Sequence, residues 1–137
     1  MIAFAVGAPR ICVMAEDGSS VIAIVDDDEL MRGALRGLLK EAGFEARAFP
    51  SAEEFLASEQ PRQTACLIAD VRMPGMSGLD LQARLNADAI RIPIIFITAH
   101  GDARLRLQAM RAGAVEFLAK PFDHEVLLET VRAALER

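Results

Sequence analysis

The sequence predicts an α/β fold: a single-domain, doubly wound, five-stranded parallel sheet with helices on both faces. Short apolar runs that fit buried strands alternate five times with segments whose apolar residues recur at helical spacing. The connections between these segments are short, which favours parallel strands joined by right-handed crossovers. The chain has 137 residues, 53% of them hydrophobic, which suffices for one core and does not require a second domain.

The first two strand–helix units occupy residues 21–58. An apolar strand at 21–25 ends in acidic residues, and a helix at 29–42 follows, with Gly43 just beyond its end. Residues 44–49 have a weaker strand pattern, which favours an edge strand. Ser51 then begins a helix, to about residue 58, in a pattern that resembles a capping box.

The remaining three units follow the same alternation. Their strands are predicted at residues 66–69, 93–98 and 115–119. Their helices are predicted to end near residue 86 after the turn-rich loop 73–78, and to occupy 103–112 before Gly113 and 123–136 at the end of the chain.

Composition excludes several classes of function. The net charge of −5 disfavours direct nucleic-acid binding by this domain, because phosphate neutralisation needs a basic face. No apolar run approaches the roughly 18 residues of a membrane span. Cys12 and Cys66 lack metal-type spacing, and Cys66, at the start of an apolar strand-like run, is predicted to be a buried reduced thiol, which suits the cytoplasm. Residues 1–20 are predicted to be a poorly ordered leader, and residues 21–137 the folded domain.

Polar and charged residues follow the strands at the points where binding sites form in open parallel sheets, which are the carboxyl ends. Because these ends share one edge of the sheet, several carboxylates, a hydroxyl and an ammonium are expected to converge there. They are Asp26, Asp27 and Asp28 after the first strand, Asp70 after the third, Thr98 after the fourth and Lys120 after the fifth.

This set of residue types predicts phosphoryl chemistry assisted by a cation. Clustered carboxylates repel one another unless a cation lies among them, and oxygen ligands of this kind suit Mg²⁺. A carboxylate beside such a cation can act as a nucleophile toward phosphorus. The metal, Lys120 and the Thr98 hydroxyl would then offer charge and donors to the phosphoryl oxygens.

Four separated motifs resemble the receiver domain of two-component response regulators, in the CheY-like superfamily. They are Val25-Asp26-Asp27, the segment from Asp70 to Gly78 (DVRMPGMSG), Thr98-Ala99-His100-Gly101 and Lys120-Pro121-Phe122. The segments Gly101-Asp102 and Ala112-Gly113-Ala114 look most like the FixJ-type branch. The resemblance covers residues 21–137 and implies the strand order 2-1-3-4-5.

The resemblance implies a phosphoacceptor and a metal site. Asp70 would accept the phosphoryl group from the phosphohistidine of a sensor histidine kinase. Asp70 and Asp27 would ligate Mg²⁺ directly, Asp26 would ligate it through water, and the backbone carbonyl of Arg72 would be a further ligand. The chain would then be a signalling switch that catalyses its own phosphorylation and dephosphorylation, and not an enzyme acting on other substrates.

The resemblance also implies a switch that links this site to an output face. Lys120 would contact the phosphoryl group, and its bond to Pro121 is expected to be cis. Thr98 would move toward the phosphoryl group while the ring of Phe117 swings inward. The face formed by the fourth helix and the fifth strand would then form a homodimer or bind an effector, and the FixJ-type resemblance implies transcription as the regulated output.

Three other functions compete with this interpretation. A phosphatase of the haloacid dehalogenase type uses an Asp-x-Asp motif, which Asp26 to Asp28 contains, but it leaves Asp70 without a role and needs a longer chain. A nucleotide or flavin module would need a Gly-rich or hydroxyl-rich first loop, and here that loop is acidic. A degenerate receiver would lack the set Asp70, Thr98 and Lys120.

Ordinary structural roles compete for the other polar residues. Asp28 and Glu29 are predicted to cap the first helix. We interpret His100 and His124 as surface residues, with control of water access to the acyl phosphate as an alternative for His100. Three arginines of the fourth helix are interpreted as a solvated face, with a salt-bridged output surface as the alternative: Arg104, Arg106 and Arg111.

Overall fold

Five strands alternate with five α-helices in the computed structural model, which describes residues 21–99 and 103–136. The elements are β1 (Val21–Val25), α1 (Glu29–Glu41), β2 (Glu45–Phe49), α2 (Ala52–Ala57), β3 (Cys66–Asp70), α3 (Gly78–Ala87), β4 (Ile94–Thr98), α4 (Ala103–Arg111), β5 (Glu116–Ala119) and α5 (His124–Leu135). Each bound predicted from the sequence lies within about one residue of the observed one. A short 3₁₀ helix at Pro61–Gln63 was not predicted.

The strands form one parallel sheet in the order β2-β1-β3-β4-β5, which confirms the predicted fold class and strand order. The chain first moves outward from β1 to β2 and then returns to place β3 on the other side of β1. The strand order therefore reverses between β1 and β3. Such a reversal opens a crevice at the carboxyl ends of the two strands, where sites form in this class of fold.

Two hydrophobic cores lie on the two faces of the sheet, because side chains alternate along each strand. One core joins the sheet to α2, α3 and α4 through Val25, Phe96, Phe55, Leu81 and Ala109. The other joins it to α1 and α5 through Ile24, Ile68, Leu35, Leu39, Leu127 and Val131. Helices on both faces leave the carboxyl edge of the sheet as the place where polar groups gather.

Three predictions from composition have different outcomes. Among the described residues, none of the helices has the length and apolar character that crossing a bilayer requires. Cys66 is a free and fully buried thiol, and burial raises its pKa to about 12, so it is unreactive. The predicted leader at residues 1–20, including Cys12, and the residue His100 lie outside the described residues.

Candidate functional site

Three carboxylates meet where β1 and β3 end side by side. Asp70 is the last residue of β3, and Asp26 and Asp27 follow β1 directly. One oxygen from each of the three side chains lies within 4.8 Å of the others. Asp26 is buried, Asp70 is 9% exposed and Asp27 is exposed, so the cluster opens to solvent on one side only.

The turn between β1 and α1 holds Asp26 by its main chain and its side chain. Asp28 is the N-cap of α1, as predicted, because its Oδ1 accepts hydrogen bonds from the N–H of Leu30 (2.9 Å) and Met31 (3.4 Å). The N–H of Asp28 in turn donates to Asp26 Oδ1 at 2.9 Å. Arg32, in the first turns of α1, donates from Nη1 to the Asp26 carbonyl oxygen at 2.8 Å.

Lys120 joins the acids of the two strands. Its Nζ donates to Asp26 Oδ2 and to Asp70 Oδ2, at 3.1 Å in both cases. The ammonium reaches them because the residue directly follows β5, whose carboxyl end lies at the same edge of the sheet. The Lys120–Pro121 peptide bond is cis, as predicted.

The charges of these residues do not balance. The carboxylates of Asp26, Asp27 and Asp70 face the single ammonium of Lys120, which leaves an excess of two negative charges among them. Burial raises the pKa of Asp26, and the N–H of Asp28 and the Lys120 ammonium only partly oppose that rise. Burial alone would lower the pKa of Lys120, but its hydrogen bonds to the two carboxylates outweigh burial and raise it.

The donor set fits a divalent cation of the magnesium type. Mg²⁺ prefers oxygen ligands, keeps several waters and takes one or two protein carboxylates. Three carboxylate oxygens within 4.8 Å of one another, with one open side, provide such ligands and leave room for water. A divalent charge would also neutralise the local excess of two negative charges.

The loop after β3 folds back onto the phosphoacceptor candidate. The N–H of Arg72 donates to Asp70 Oδ1 at 3.1 Å, and the N–H of Gly78 donates to the Val71 carbonyl oxygen at 2.8 Å. Gly78 lies so close to β3 that an added Cβ would be 2.3 Å from the Asp70 carbonyl oxygen. The loop is therefore pinned at both ends, which keeps Arg72 next to Asp70.

Thr98 and Phe117 lie on the far side of the site from β1. Thr98 ends β4 and is fully buried, and its carbonyl oxygen accepts from the N–H of Lys120 at 2.8 Å. Phe117 is buried in the middle of β5, with its ring centroid 6.2 Å from that of Phe96. The position predicted to switch is thus directed into the core beside β4.

Arg106 attaches α4 to the outer strand β5. Its Nη1 donates to the Phe117 carbonyl oxygen at 2.9 Å, and its Nη2 lies 3.3 Å from Glu116 Oε1. That carboxylate oxygen also accepts from the N–H of Phe117 at 2.9 Å. Arg106 is therefore paired, in line with the salt-bridged alternative and not with the preferred interpretation of a purely solvated face.

Sequence reasoning missed two contacts around the site, those of Arg32 and of Glu53, which binds the loop after β3, and it offered the pairing of Arg106 only as an alternative. Arg32 lies six residues after Asp26, and a helix that starts at the end of a strand can direct such a side chain back toward it. Glu53 accepts from the N–H of Met76 at 2.9 Å, although 23 residues separate the two. No sequence pattern signals a contact of that kind.

Comparisons with known proteins agree with this geometry. The family profile described as response regulator receiver domain matches residues 22–132. Nodulation protein W of Bradyrhizobium diazoefficiens is 50% identical over 118 residues, covering 86% of this chain and 52% of that protein. Response regulator protein TodT of Pseudomonas putida strain F1 is 48% identical over 120 residues, covering 88% and 53%. The chain thus spans about half the length of these curated relatives.

A solved structure agrees as well. The crystal structure titled FixJ-N has a TM-score of 0.79 and 40% identity, and it covers 87% of this chain and 95% of the other. The fold and the acidic edge thus define a receiver domain, and the chain belongs to the response regulator receiver domain family. Within that family it falls in the FixJ-type branch.

Proposed function

We propose that this chain is the phosphoacceptor of a two-component phosphorelay and that Asp70 takes a phosphoryl group from the phosphohistidine of a sensor histidine kinase. The observation that carries the proposal is the cluster of three carboxylates, whose oxygens lie within 4.8 Å of one another. Lys120 completes it by donating to Asp26 and Asp70 at 3.1 Å. An acceptor carboxylate, two further acids that could hold a cation and a lysine ammonium therefore lie together, which supports phosphoryl transfer to a carboxylate.

In this proposal Mg²⁺ is held at the open side of the carboxylate cluster. Asp70 and Asp27 would be its direct protein ligands, Asp26 would ligate it through water, and the backbone carbonyl of Arg72 would be a further ligand. Bound there, the ion neutralises charge that develops on the phosphoryl oxygens. The loop after β3 supports the assignment of Arg72, because the N–H of Arg72 donates to Asp70 Oδ1 at 3.1 Å and so holds this residue beside the acceptor carboxylate.

The transfer step uses the chain's own side chains. An Asp70 carboxylate oxygen forms the new bond to phosphorus while the phosphorus–nitrogen bond of the phosphohistidine breaks, and its electron pair stays on the imidazole. Lys120 exchanges a carboxylate partner for a phosphoryl oxygen, and the Thr98 hydroxyl donates to another. Later attack of water on phosphorus releases inorganic phosphate and restores Asp70, so the chain catalyses only its own modification.

The output of the proposed switch is the surface of α4 and β5. When Thr98 turns toward the phosphoryl group, the packing beside β4 changes and Phe117 adjusts with it. Arg106 joins α4 to the main chain of Phe117, so a change at that strand reaches the helix. We propose that the altered face forms a homodimer or binds an effector.

The names of the relatives support a regulatory role for the proposed switch. Some of them are named transcriptional regulatory proteins, which supports control of transcription as the output. The negative charge of the chain supports a protein partner and not direct contact with nucleic acid by this domain. The proposal places the chain in the cytoplasm, which suits the free thiol of Cys66.

The proposal is tested by intact mass after incubation with acetyl phosphate, with Mg²⁺ or with EDTA. We expect one phosphoryl adduct that needs Mg²⁺, persists in Asp88→Asn and is absent from Asp70→Asn. Asp88 is a suitable control because it is an exposed carboxylate at the far end of α3. An adduct that persists in Asp70→Asn would move the acceptor elsewhere, and none in the wild type would contradict the function.

A further inference from the structure

A third contact fixes the loop after β3, in addition to the two that pin its ends. Glu53 lies in the first turn of α2, on a different element, and its Oε2 accepts a hydrogen bond from the N–H of Met76 at 2.9 Å. Met76 lies in the middle of the loop, between Arg72 and Gly78. An exposed acid that lies outside the carboxylate cluster thus holds the loop that carries the Arg72 carbonyl.

Gly75, the residue before Met76, lies close to the same carboxylate. Gly75 has φ +76°, a left-handed conformation that side chains other than glycine rarely adopt. A Cβ added there would lie 2.6 Å from Glu53 Oε2, so an alanine at this position would push the end of the Glu53 side chain away. Gly75→Ala would therefore disturb the contact between Glu53 and the loop as well as strain the main chain.

We propose that Glu53 is a positioning residue of the phosphoacceptor site: it fixes the middle of the β3–α3 loop and so keeps the Arg72 carbonyl beside Asp70 for the cation. This inference rests on the proposed function. Partners that orient groups bound to a metal commonly change metal affinity strongly when they are removed, although they do not touch the ion. Glu53 acts in this way through Met76 and the loop.

Helix capping alone does not explain the contact. An acid in the first turn of a helix interacts favourably with the helix dipole, and both Glu53 and Glu54 are in that position in α2. Both side chains are exposed, and they carry the same charge. Of the two, Glu53 is the one whose carboxylate oxygen accepts a hydrogen bond from the loop, so Glu54 is a matched control for charge and for helix stability.

The experiment measures Mg²⁺ binding by calorimetric titration and the exchange rate of the Met76 amide proton by NMR, in the whole chain. The variants are Glu53→Ala, Glu53→Gln, Glu54→Ala and Gly75→Ala. We expect Glu53→Ala and Gly75→Ala to raise the Mg²⁺ dissociation constant about tenfold and to speed Met76 exchange by a similar factor. Glu53→Gln keeps an acceptor oxygen and is expected to stay close to wild type, as is Glu54→Ala.

Combining the two disruptive changes sharpens the test. Gly75→Ala strains the main chain at φ +76° whether or not Glu53 is present, so the informative comparison is Glu53→Ala made in the Gly75→Ala background. Because Gly75→Ala already displaces the Glu53 carboxylate, adding Glu53→Ala to it is expected to change Mg²⁺ affinity and Met76 exchange little. Additive losses would overturn the inference, as would equal losses in Glu53→Ala and Glu54→Ala or unchanged Met76 exchange. Losses in Glu53→Gln as large as in Glu53→Ala would assign the effect to charge and overturn it too. A wild type that fails to bind Mg²⁺ would instead contradict the proposed function.

Discussion

Two regions of the molecule are stabilised by different kinds of ion pair. The acidic edge, formed by Asp26, Asp27, Asp70 and Lys120, has nearly buried pairs, whereas the α4–β5 surface has an exposed one. At the acidic edge, Lys120 bridges Asp26 and Asp70 with side chains that are 15%, 3% and 11% exposed. At the α4–β5 surface, the ion pair of Arg106 and Glu116 is 52% and 35% exposed. Nearly buried charges depend strongly on their partners, whereas exposed pairs contribute little because water replaces them.

This difference suits the proposed switch. A site that must recognise one group needs a fixed arrangement, and mutual dependence among buried charges provides it. A surface that must rearrange needs contacts that are lost at low cost, and the exposed pair of Arg106 provides those. The loop after β3 belongs to the fixed part, because Gly78 allows a close approach to β3. The predictions that follow separate the two regions by the size and the kind of effect expected.

The largest effect is expected for Gly78→Ala. The new Cβ would lie 2.3 Å from the Asp70 carbonyl oxygen and 3.1 Å from Phe96 Cε1, so the main chain at the acidic edge must shift. We expect the free energy of unfolding to fall by about 3 kcal/mol. Urea unfolding followed by far-ultraviolet circular dichroism measures it, because the chain has no Trp or Tyr.

Gly33→Ala is the matched control for that change. Gly33 lies inside α1, and an added Cβ there would have nothing within 4 Å. Alanine favours a helix more than glycine does, so stability is expected to rise by up to about 1 kcal/mol. A Gly78→Ala protein that is as stable as wild type would show that the main chain at the acidic edge can shift at little cost in stability. That result would contradict the contrast between a fixed acidic edge and a rearranging α4–β5 surface.

An intermediate effect of opposite sign is expected for Asp26→Asn in the absence of metal. Burial raises the pKa of Asp26 above its usual 3.8, so the folded protein binds this proton more tightly than the unfolded chain. The free energy of unfolding therefore falls as the pH rises from 3.8 through the pKa of Asp26 in the folded protein. At neutral pH the ionised side chain destabilises the folded protein. We expect Asp26→Asn to raise the free energy of unfolding by about 1 kcal/mol at pH 7.

The pH dependence and the response to Mg²⁺ distinguish this effect from a general one. The gain in Asp26→Asn is expected to shrink below pH 3.8, where the wild-type carboxyl is protonated in both states. Added Mg²⁺ is expected to stabilise the wild type more than the variant, because a ligand bound to the folded state adds to its stability. Asp88→Asn, at an exposed carboxylate, is expected to stay within about 0.5 kcal/mol of wild type.

Sequence patterns predicted the parts of this molecule that depend on local rules. Strand and helix bounds follow from periodicity and capping, as Ser51 and Asp123 at the starts of α2 and α5 illustrate. Asp26, Asp70 and Lys120 could be placed together because the carboxyl ends of parallel strands share one edge. Their distances follow from the order of the strands, and that order came from resemblance to a family.

Contacts that depend on the path of a loop could not be predicted in this way. The bond from Met76 to Glu53 joins residues 23 apart and depends on the left-handed turn at Gly75. Periodicity predicted that Arg106 lies on an exposed helix face, and about half of its side chain is indeed exposed. It could not show that the guanidinium bends across to the main chain of β5, because both side-chain length and the packing angle of α4 decide that contact.

The smallest effect on stability is expected for Arg106→Ala, and it sharpens the comparison most. The change removes an exposed ion pair and one hydrogen bond to the Phe117 carbonyl oxygen, so the free energy of unfolding is expected to fall by only about 0.5 kcal/mol. Arg111→Ala, at the exposed end of the same helix, controls for lost charge.

Amide exchange is expected to quicken in α4 of Arg106→Ala while Mg²⁺ affinity stays at the wild-type value, because the acidic edge does not depend on this contact. If Arg106→Ala weakened Mg²⁺ binding as Glu53→Ala is expected to, the fixed and rearranging regions would be one coupled unit even without phosphorylation, and the exposed pair at β5 would belong to the site itself.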